Sequence, residues 1–260
     1  MGKLYIVPDK LHIDECLKFA QDYHAAFEIH DFFSPVVLDD KLKTQEMIDY
    51  YVHLKRDRSQ DILHGYFFDV YVHSEDPLIA AVSEQRVRQC LDIGKSLGVK
   101  SCIFHTNINP MLKSKAYLEN WINKSELFWK KMLREYDTLC IMLENMFDAD
   151  PSQLLKLTER MKDENRFGIC LDYAHTKCFG KNSNSWMMLL PFVKHVHIND
   201  NNFEEDQHLA VGADEGRINW EQFSEEMRNN RNDASVLIEV KFENIRESLT
   251  YLKTHKIYPY

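Results

Sequence analysis

Glycine and proline are scarce in this chain, which has eight glycines and seven prolines among 260 residues. Long irregular segments use these two residues for their turns, so we expect a chain that is mostly helix and strand. Hydrophobic residues make up 44% of the chain and charged residues 28%, as in ordinary soluble globular proteins. The length allows one large core, and we therefore predict a single domain over residues 1–260.

Membrane and export signals are also missing. No apolar run approaches the roughly 20 residues that cross a bilayer. The segment from Met1 to Val7 has no apolar core with a cleavage site, and Ile6 stands where a myristoylation signal needs Ser or Thr. The six cysteines have no paired spacing, so we interpret them as reduced core thiols and assign none to a metal. These features predict a cytoplasmic protein without a membrane partner.

The chain also lacks an excess of basic over acidic residues. The chain has 32 Lys and Arg residues against 41 Asp and Glu residues, which gives a formal net charge of −9. A broad surface for nucleic-acid phosphates needs the opposite balance. A local basic groove is compatible with this charge, so a nucleic-acid partner is disfavoured rather than ruled out.

Apolar runs and breaking residues alternate regularly along the chain. The predicted strands are Leu4–Val7, Ala26–His30, Asp61–Tyr66, Ser101–Thr106, Thr138–Asn145, Phe167–Asp172, Val193–Asn199 and Ser235–Lys241. The predicted helices are Ile13–Tyr23, Thr44–Lys55, Leu78–Leu97, Ala116–Tyr136, Ser152–Lys162, Ser185–Leu190, Trp220–Asn229 and Ile245–Thr254. Such strict alternation is typical of βαβ units and predicts an α/β fold, a single (β/α)8 TIM barrel. An open doubly wound sheet is the alternative.

Each of the last six predicted strands ends in, or close to, a residue that can bind a metal. An unpaired carboxylate or imidazole buried at a strand end costs several kcal/mol, and one barrel rim collects the carboxyl ends of all strands. A row of such residues therefore predicts one shared site. Its mixture of nitrogen and oxygen ligands suits Zn²⁺, Mn²⁺, Co²⁺ or Fe²⁺ better than Ca²⁺ or Mg²⁺. The residues are His64, His105, Glu144, Asp172, His175, His197 and Glu239, with Asp206 and His208 in a following loop.

Four segments make the chain recognisable: 143–145, 170–175, 195–200 and 206–212, the last leading to 218–220. They read Leu-Glu-Asn, Cys-Leu-Asp-Tyr-Ala-His, His-Val-His-Ile-Asn-Asp and Asp-Gln-His-Leu-Ala-Val-Gly, followed by Ile-Asn-Trp. With these segments the chain resembles the xylose-isomerase-like barrel superfamily, which includes endonuclease IV and many sugar isomerases and epimerases. The resemblance covers nearly the whole chain and is specific for the superfamily rather than for one activity within it.

The resemblance also implies a set of metal ligands. The central ion of the superfamily would be held by Glu144, Asp172, His197 and Glu239. In endonuclease IV two further ions are present, and their ligands would correspond to His64 and His105 with Glu144 shared, and to His175, Asp206 and His208. We expect one divalent ion, Mn²⁺, Zn²⁺ or Co²⁺, with ligands for as many as three.

An isomerase or epimerase of a sugar, sugar phosphate or related polyol is the first function that the resemblance implies. In such an enzyme the metal acts as a Lewis acid on the substrate carbonyl and stabilises an enediolate. Glu144 and Glu239 would move the proton to and from carbon. His175 and His64 would hold substrate hydroxyls unless they hold a second metal. Ketose 3-epimerases carry an Arg at the position of Phe203, which weakens that narrower assignment.

Two other activities of the superfamily are alternatives. An endonuclease IV-like phosphodiesterase would use a zinc cluster to cut DNA at abasic sites. However, the loops 31–40 and 65–77 are aromatic and acidic and contain no Lys or Arg, so they would meet phosphates poorly. A metal-dependent lyase or dehydratase is the second alternative. A barrel kept as a scaffold or ligand sensor is a third reading, outside catalysis.

Three further expectations concern residues and partners that the resemblance does not fix. His30 is expected to face the barrel interior and to contact the substrate, although a structural role is equally compatible. Lys241 lies two residues after Glu239 and could bind a substrate phosphate, against the simpler reading of a solvated lysine. The aromatic clusters at 32–33 and 66–68 could line a pocket, form the hydrophobic cover of a barrel rim or make a homo-oligomer contact.

Overall fold

The structure, a computed structural model, describes residues 2–181, 183–231 and 233–260, with only the backbone of residues 183 and 184. Eight strands lie within these ranges, and their bounds fall within three residues of those predicted from the sequence. The strands are β1 (Leu4–Ile6), β2 (Ala26–Ile29), β3 (Ile62–His64), β4 (Ser101–His105), β5 (Cys140–Glu144), β6 (Phe167–Asp172), β7 (Val193–Ile198) and β8 (Ser235–Ile238).

The strands are neighbours in chain order, and β8 lies beside β1, so the sheet closes into a barrel. The neighbouring strands whose register is resolved all run parallel. Helices connect the strands, and the fold is therefore the (β/α)8 TIM barrel predicted from the alternation of elements. That residues 1–260 form a single domain stays a prediction.

The helices are α1 (Ile13–Asp22), α2 (Pro35–Leu38), α3 (Lys41–His53), α4 (Pro77–Leu97), α5 (Lys115–Glu135), α6 (Ser152–Arg160), α7 (Tyr173–Cys178), α8 (Trp220–Asn230) and α9 (Phe242–Thr254). Short 3-10 helices cover Lys10–His12 and Ser183–Phe192. Helices α2 and α7 were not predicted from the sequence, and the helix predicted at Ser185–Leu190 lies within the second 3-10 helix. Both missed helices are one to two turns long, too short to show helical periodicity.

Side-chain caps explain where α3 and α4 begin. Asp40 accepts a hydrogen bond from the Lys43 amide, so α3 begins three residues before the predicted start. Asp76 caps α4 in the same way, with Pro77 at the first helical position. At the other end of α4, Gly98 adopts a left-handed conformation with φ of 71°, which favours glycine and ends the helix.

The chain divides into two compact units. The first contains Met1–Glu28, Glu144–Ser152 and Ile169–Tyr260. Its sheet is ordered β6, β7, β8, β1 and β2, with Asp172 opposite His197 and Ile198 opposite Ile238. The amide of Glu239 donates to the carbonyl of Ile198 at 2.9 Å, which continues the ladder one residue beyond β8. The register therefore places Asp172, His197 and Glu239 at the carboxyl ends of three adjacent strands.

The second unit contains Ile29–Leu143 and Gln153–Gly168. In it β3 pairs with β4, and the amide of Cys140 donates to the carbonyl of Lys100. The long helix α5 packs on this sheet, because the ring centroids of Trp129 and Phe104 lie 5.3 Å apart. Within the described residues, none of the helices is long and apolar enough to cross a membrane.

Candidate metal centre

Four side chains of the first unit meet at the strand ends. Glu144 ends β5, Asp172 ends β6, His197 is the penultimate residue of β7, and Glu239 follows β8. One ligand atom from each lies within 4.8 Å of the ligand atoms of the other three. Three of these side chains are buried and Glu239 is 14% exposed. The strand ends thus bring the predicted quartet of metal ligands into one cluster.

The ring of His197 fixes which nitrogen faces this cluster. Its Nδ1 lies 3.3 Å from Oε1 of Glu144 and 3.2 Å from Oε2 of Glu239. Four donors at about 2.1 Å from a shared tetrahedral ion would be separated by about 3.4 Å. The observed separations are therefore close to those of ligands on one divalent cation, with Nδ1 as the ring donor.

Asp172 is positioned by its neighbours in the sequence and across the sheet. Its Oδ1 accepts from the amide of His175 at 2.7 Å and caps α7. The side-chain amide of Asn145 donates to the carbonyl of Asp172 and accepts from its amide, both at 2.9 Å. Its other oxygen, Oδ2, accepts no hydrogen bond from the described residues although the side chain is fully buried. One oxygen is therefore held while the other is available to a ligand.

A second cluster lies beside the first and contains His175, Asp206 and His208. The Nε2 atoms of both histidines lie 3.1 Å from Oδ2 of Asp206. Nε2 of His175 is also 3.6 Å from Oδ2 of Asp172, so the two clusters are adjacent. Asp206 Oδ1 is buried without a hydrogen bond to any described residue. These atoms are spaced as ligands of a second ion would be.

Backbone carbonyls fix the tautomers of these two histidines. Nδ1 of His175 lies 2.8 Å from the carbonyl oxygen of Asn145, and Nδ1 of His208 lies 2.8 Å from that of Glu239. A carbonyl oxygen accepts only, so each Nδ1 carries a hydrogen and donates it. When the ring is neutral, the Nε2 lone pair is then directed at the cluster, as is usual for a metal-binding imidazole.

The two clusters concentrate negative charge, and the pKa values reflect it. Burial, reinforced by the neighbouring carboxylates, raises the pKa of Asp172 to about 7. Burial opposes charge on His175 and His197, but the surrounding acidic groups outweigh it and raise the pKa of both rings well above the ordinary value. The same balance, led by Asp206, raises the pKa of His208 to about 10. The clusters therefore favour positive charge, whether it is supplied by protons or by a metal cation.

Asp200 anchors the loop that carries Asp206 and His208. Its carboxylate accepts from the amides of Asn201, Gly212 and Ile218 at 3.0 to 3.2 Å and from the indole nitrogen of Trp220 at 2.7 Å. Its backbone pairs with Leu209 in an isolated antiparallel bridge. A buried carboxylate with four donors holds both ends of the loop between β7 and α8 in place.

Gly216 stands directly against that carboxylate. A Cβ built on Gly216 would lie 2.2 Å from Cγ of Asp200, which is a severe overlap. The carboxylate is held by several hydrogen bonds and cannot move aside at low cost. The close approach explains why glycine occupies this position of the loop.

The predicted histidines His30, His64 and His105 lie together in the second unit. The ring of His64 is 5.0 Å from the rings of both His30 and His105. Nδ1 of His105 donates to the carbonyl of Phe67 at 2.7 Å, which leaves its Nε2 as the potential ligand atom. Their roles as metal or substrate ligands stay predictions.

Lys241 lies exposed at the N-terminus of α9, where its backbone caps the helix. A phosphate contact for it likewise stays a prediction.

Three buried residues close to the quartet were not among the site residues predicted from the sequence. Cys170 forms a close set with Glu144 and His197, although burial raises the pKa of its thiol well above the ordinary value. Glu28 contacts Nε2 of His197 at 3.1 Å, and Asn199 follows His197 by two residues. The signal available in the sequence was strand alternation, which places every second residue on the same face.

A known family matches the chain over residues 25–255, and its description is "Xylose isomerase-like TIM barrel". This match covers most of the chain. The protein belongs to the xylose isomerase-like TIM-barrel family.

Individual relatives are distant. An uncharacterized protein of Methanocaldococcus jannaschii is 25% identical over 195 residues, which is 70% of this chain and 71% of the relative. The TTHB071 protein from Thermus thermophilus, solved after soaking with ZnCl2, has a TM-score of 0.74 and 22% identity and covers 98% of this chain and 97% of its own. A D-tagatose 3-epimerase-like protein has a TM-score of 0.73 and 18% identity over 98% and 96% of the two chains. The two structural likenesses establish a shared fold.

We predict that Trp220→Phe weakens the anchor of the loop in this family member. The change removes the indole donor to Asp200 and keeps most of the ring, so the free energy of unfolding should fall by about 1.5–3 kcal/mol. Urea unfolding measures this loss.

Trp121→Phe is the matched control, because Trp121 is equally buried but donates to the neutral carbonyl of Thr106. Its loss should be about 0.5–1.5 kcal/mol. Equal losses in the two variants would show that the carboxylate of Asp200 adds nothing to the anchor.

Proposed function

We propose that this protein is a divalent-metal-dependent isomerase or epimerase of a sugar, sugar phosphate or related polyol. The observation that supports the proposal most is the quartet of Glu144, Asp172, His197 and Glu239, whose ligand atoms lie within 4.8 Å of one another. Membership of a family that is named after a sugar isomerase supports the same class of reaction. An epimerase-like protein of the same fold adds to that support.

The donor set fits a metal of the Zn²⁺, Mn²⁺ or Co²⁺ type. It combines one imidazole nitrogen with carboxylate oxygens, and a buried oxygen of Asp172 has no hydrogen bond from the described residues. We propose that the quartet holds the first ion and that His175, Asp206 and His208 could hold another. A bound ion supplies a Lewis acid that polarises the substrate carbonyl.

Glu144 and Glu239 are proposed as the groups that move the proton. Their carboxylates approach Nδ1 of His197 at 3.3 and 3.2 Å, so both lie against the same ring nitrogen. A pair of carboxylates in this arrangement can remove a proton from one carbon and return it to the same or a neighbouring carbon. This is the chemistry that an aldose–ketose isomerase or an epimerase requires.

Asn199 is proposed as a substrate contact. Its amide is fully buried, and neither its oxygen nor its nitrogen makes a hydrogen bond to any described residue. Strand alternation from His195 and His197 places it on the same face as the quartet. A buried amide left without partners costs free energy, which a hydroxyl of a polyhydroxylated substrate would recover.

A zinc-dependent phosphodiesterase acting at abasic sites in DNA remains the second candidate. The cluster of His175, Asp206 and His208 favours this candidate, because it could hold an additional ion. A phosphodiesterase of this type uses more than one metal ion. The net charge of −9 argues against a DNA partner. A lyase or dehydratase of the same family is a further candidate. Cytoplasmic location and a homo-oligomeric state stay predictions.

The first test combines metal analysis with a substrate panel. We expect about one tightly held divalent ion per chain, loss of thermal stability on chelation, and interconversion of ketoses after Mn²⁺, Zn²⁺ or Co²⁺ is restored. Elemental analysis, thermal unfolding and chromatography of sugar mixtures measure these effects. The opposite result is three zinc ions per chain, nicking of an abasic-site duplex and no change in any sugar. That result would contradict the isomerase assignment and support the phosphodiesterase.

Glu239→Gln should reduce kcat by about 10²–10⁴-fold at saturating metal, because the amide cannot accept the proton. The matched control is Glu247→Gln on the exposed face of α9, which should leave kcat unchanged. Steady-state kinetics with the metal content of each variant measured in parallel make the comparison. Turnover near the wild-type value in Glu239→Gln would remove this residue from the mechanism.

Asn199→Ala should raise KM about tenfold or more while metal affinity stays unchanged, since a lost hydrogen bond to substrate is worth about 1.5 kcal/mol. Asn199→Asp tests whether the donor or the acceptor of the amide is used. An unaltered KM in the alanine variant would contradict the assigned contact.

A further inference from the structure

A line of buried polar side chains extends from His197 away from the proposed metal. Nε2 of His197 lies 3.1 Å from Oε1 of Glu28, and Oε2 of Glu28 lies 2.8 Å from Nε2 of His195. Nδ1 of His195 lies 2.6 Å from the hydroxyl oxygen of Ser235. We call these four residues the buried relay. Glu28, His195 and His197 are all fully buried.

Strand geometry builds the relay. His195 and His197 alternate on β7, so their rings share a face, and their centroids lie 5.3 Å apart. Ser235 begins β8 and is the register partner of His195. Glu28 enters from β2, and the ring of Tyr5 on β1 packs edge-on against His195 at 5.0 Å. Four strands of the first unit therefore hold the relay, and small movements of any one side chain are resisted.

The donors and acceptors within the relay can be assigned from the chemistry of its side chains. A carboxylate only accepts hydrogen bonds, so Nε2 of His195 and Nε2 of His197 carry the hydrogens that face the two oxygens of Glu28. Nδ1 of the neutral His195 ring has no hydrogen and therefore accepts from the hydroxyl of Ser235 at 2.6 Å. His195 is thereby fixed in one ring orientation, with Nε2 toward Glu28.

Burying the charged carboxylate of Glu28 costs free energy, so its contacts must compensate for the lost hydration. Moving an ion out of water costs several kcal/mol even after relaxation, and close charge partners recover only part of it. Glu28 contacts the ring nitrogen of His197 that faces away from Glu144 and Glu239. A metal-binding histidine commonly has a carboxylate on its second nitrogen, which fixes the ring and makes the first nitrogen a better donor.

We propose that Glu28 is a positioning residue that presents Nδ1 of His197 to the metal, and that His195 and Ser235 hold Glu28 for this task. The proposal rests on the proposed metal site and does not depend on which reaction that site performs. In this proposal Glu28 contacts the second ring nitrogen of His197 and is not itself a ligand of the metal. Its role is to select one nitrogen of His197 and to prevent rotation of the ring.

Glu28→Gln tests the proposal because the side chain keeps its shape and loses its charge. Competition with a chromophoric chelator should show a loss of Zn²⁺ and Co²⁺ affinity of about 10- to 100-fold relative to the wild type. The visible absorption of bound Co²⁺ should change in position or intensity, since the imidazole ligand is held differently. Glu159→Gln, an exposed glutamate of α6, is the control and should bind both ions like the wild type.

A second variant covers the case in which Glu28→Gln does not fold. Ser235 is half-buried and lies at the end of the relay farthest from His197. Ser235→Ala should lower Co²⁺ affinity several-fold, with a smaller spectral change than Glu28→Gln. Urea unfolding of the metal-free forms separates loss of affinity from loss of stability. A merely structural role would lower stability and leave the Co²⁺ spectrum unaltered.

The outcomes separate this proposal from the proposed function. If a folded relay variant binds Co²⁺ with wild-type affinity and spectrum, Glu28 does not position His197. If the wild type binds no divalent ion, both proposals fail together. If metal affinity falls as expected but no sugar is converted by the wild type, the positioning role stands and the isomerase assignment fails.

Discussion

Crowding of buried carboxylates around one imidazole is the constraint on which the rest of the site depends. Glu28, Glu144 and Glu239 all approach the ring of His197 at 3.1 to 3.3 Å, and Asp172 lies in the same cluster. Like charges so close together and so far from water repel each other strongly. Such an arrangement is stable only with compensating positive charge. Imidazolium rings can supply part of it, and a divalent cation supplies it in the compact form that the ligand spacing fits.

The surroundings of the clusters follow from the same constraint. Each of three histidines contacts the cluster with one nitrogen while the other nitrogen lies against an acceptor. For His175 and His208 this acceptor is a backbone carbonyl, and for His197 it is the carboxylate of Glu28. The loop with Asp206 is in turn anchored by Asp200 through main-chain amides and one indole. Ligands, ring orientation and loop therefore form one connected set of interactions.

Much of this could be predicted from the sequence, because strands and their ends have a simple pattern. Eight apolar runs separated by helical segments predicted the barrel, and Glu144, Asp172, His197 and Glu239 stood at strand ends where parallel strands bring their residues together. The loop residues Asp206 and His208 followed from resemblance to known members of the superfamily. Short helices such as α7 were missed because so few turns of helix have no detectable period.

Other features depend on three-dimensional contacts that no spacing in the chain reveals. Glu28 and Ser235 are 207 residues apart, and their link through His195 exists only after β2, β7 and β8 are assembled. Asp200 likewise accepts hydrogen bonds from Gly212, Ile218 and Trp220. In the sequence this segment reads as an ordinary polar loop, so these contacts could not be predicted. A polar residue has a different role when it is buried than when it is exposed, and its burial depends on the folded chain.

Anomalous X-ray diffraction from crystals grown with ZnCl2 tests the central claim most directly. The account predicts an anomalous peak about 2.0–2.2 Å from Nδ1 of His197 and from carboxylate oxygens of Glu144, Asp172 and Glu239. A peak at Nε2 of His197, or the lack of any peak among these four side chains at saturating zinc, would contradict it.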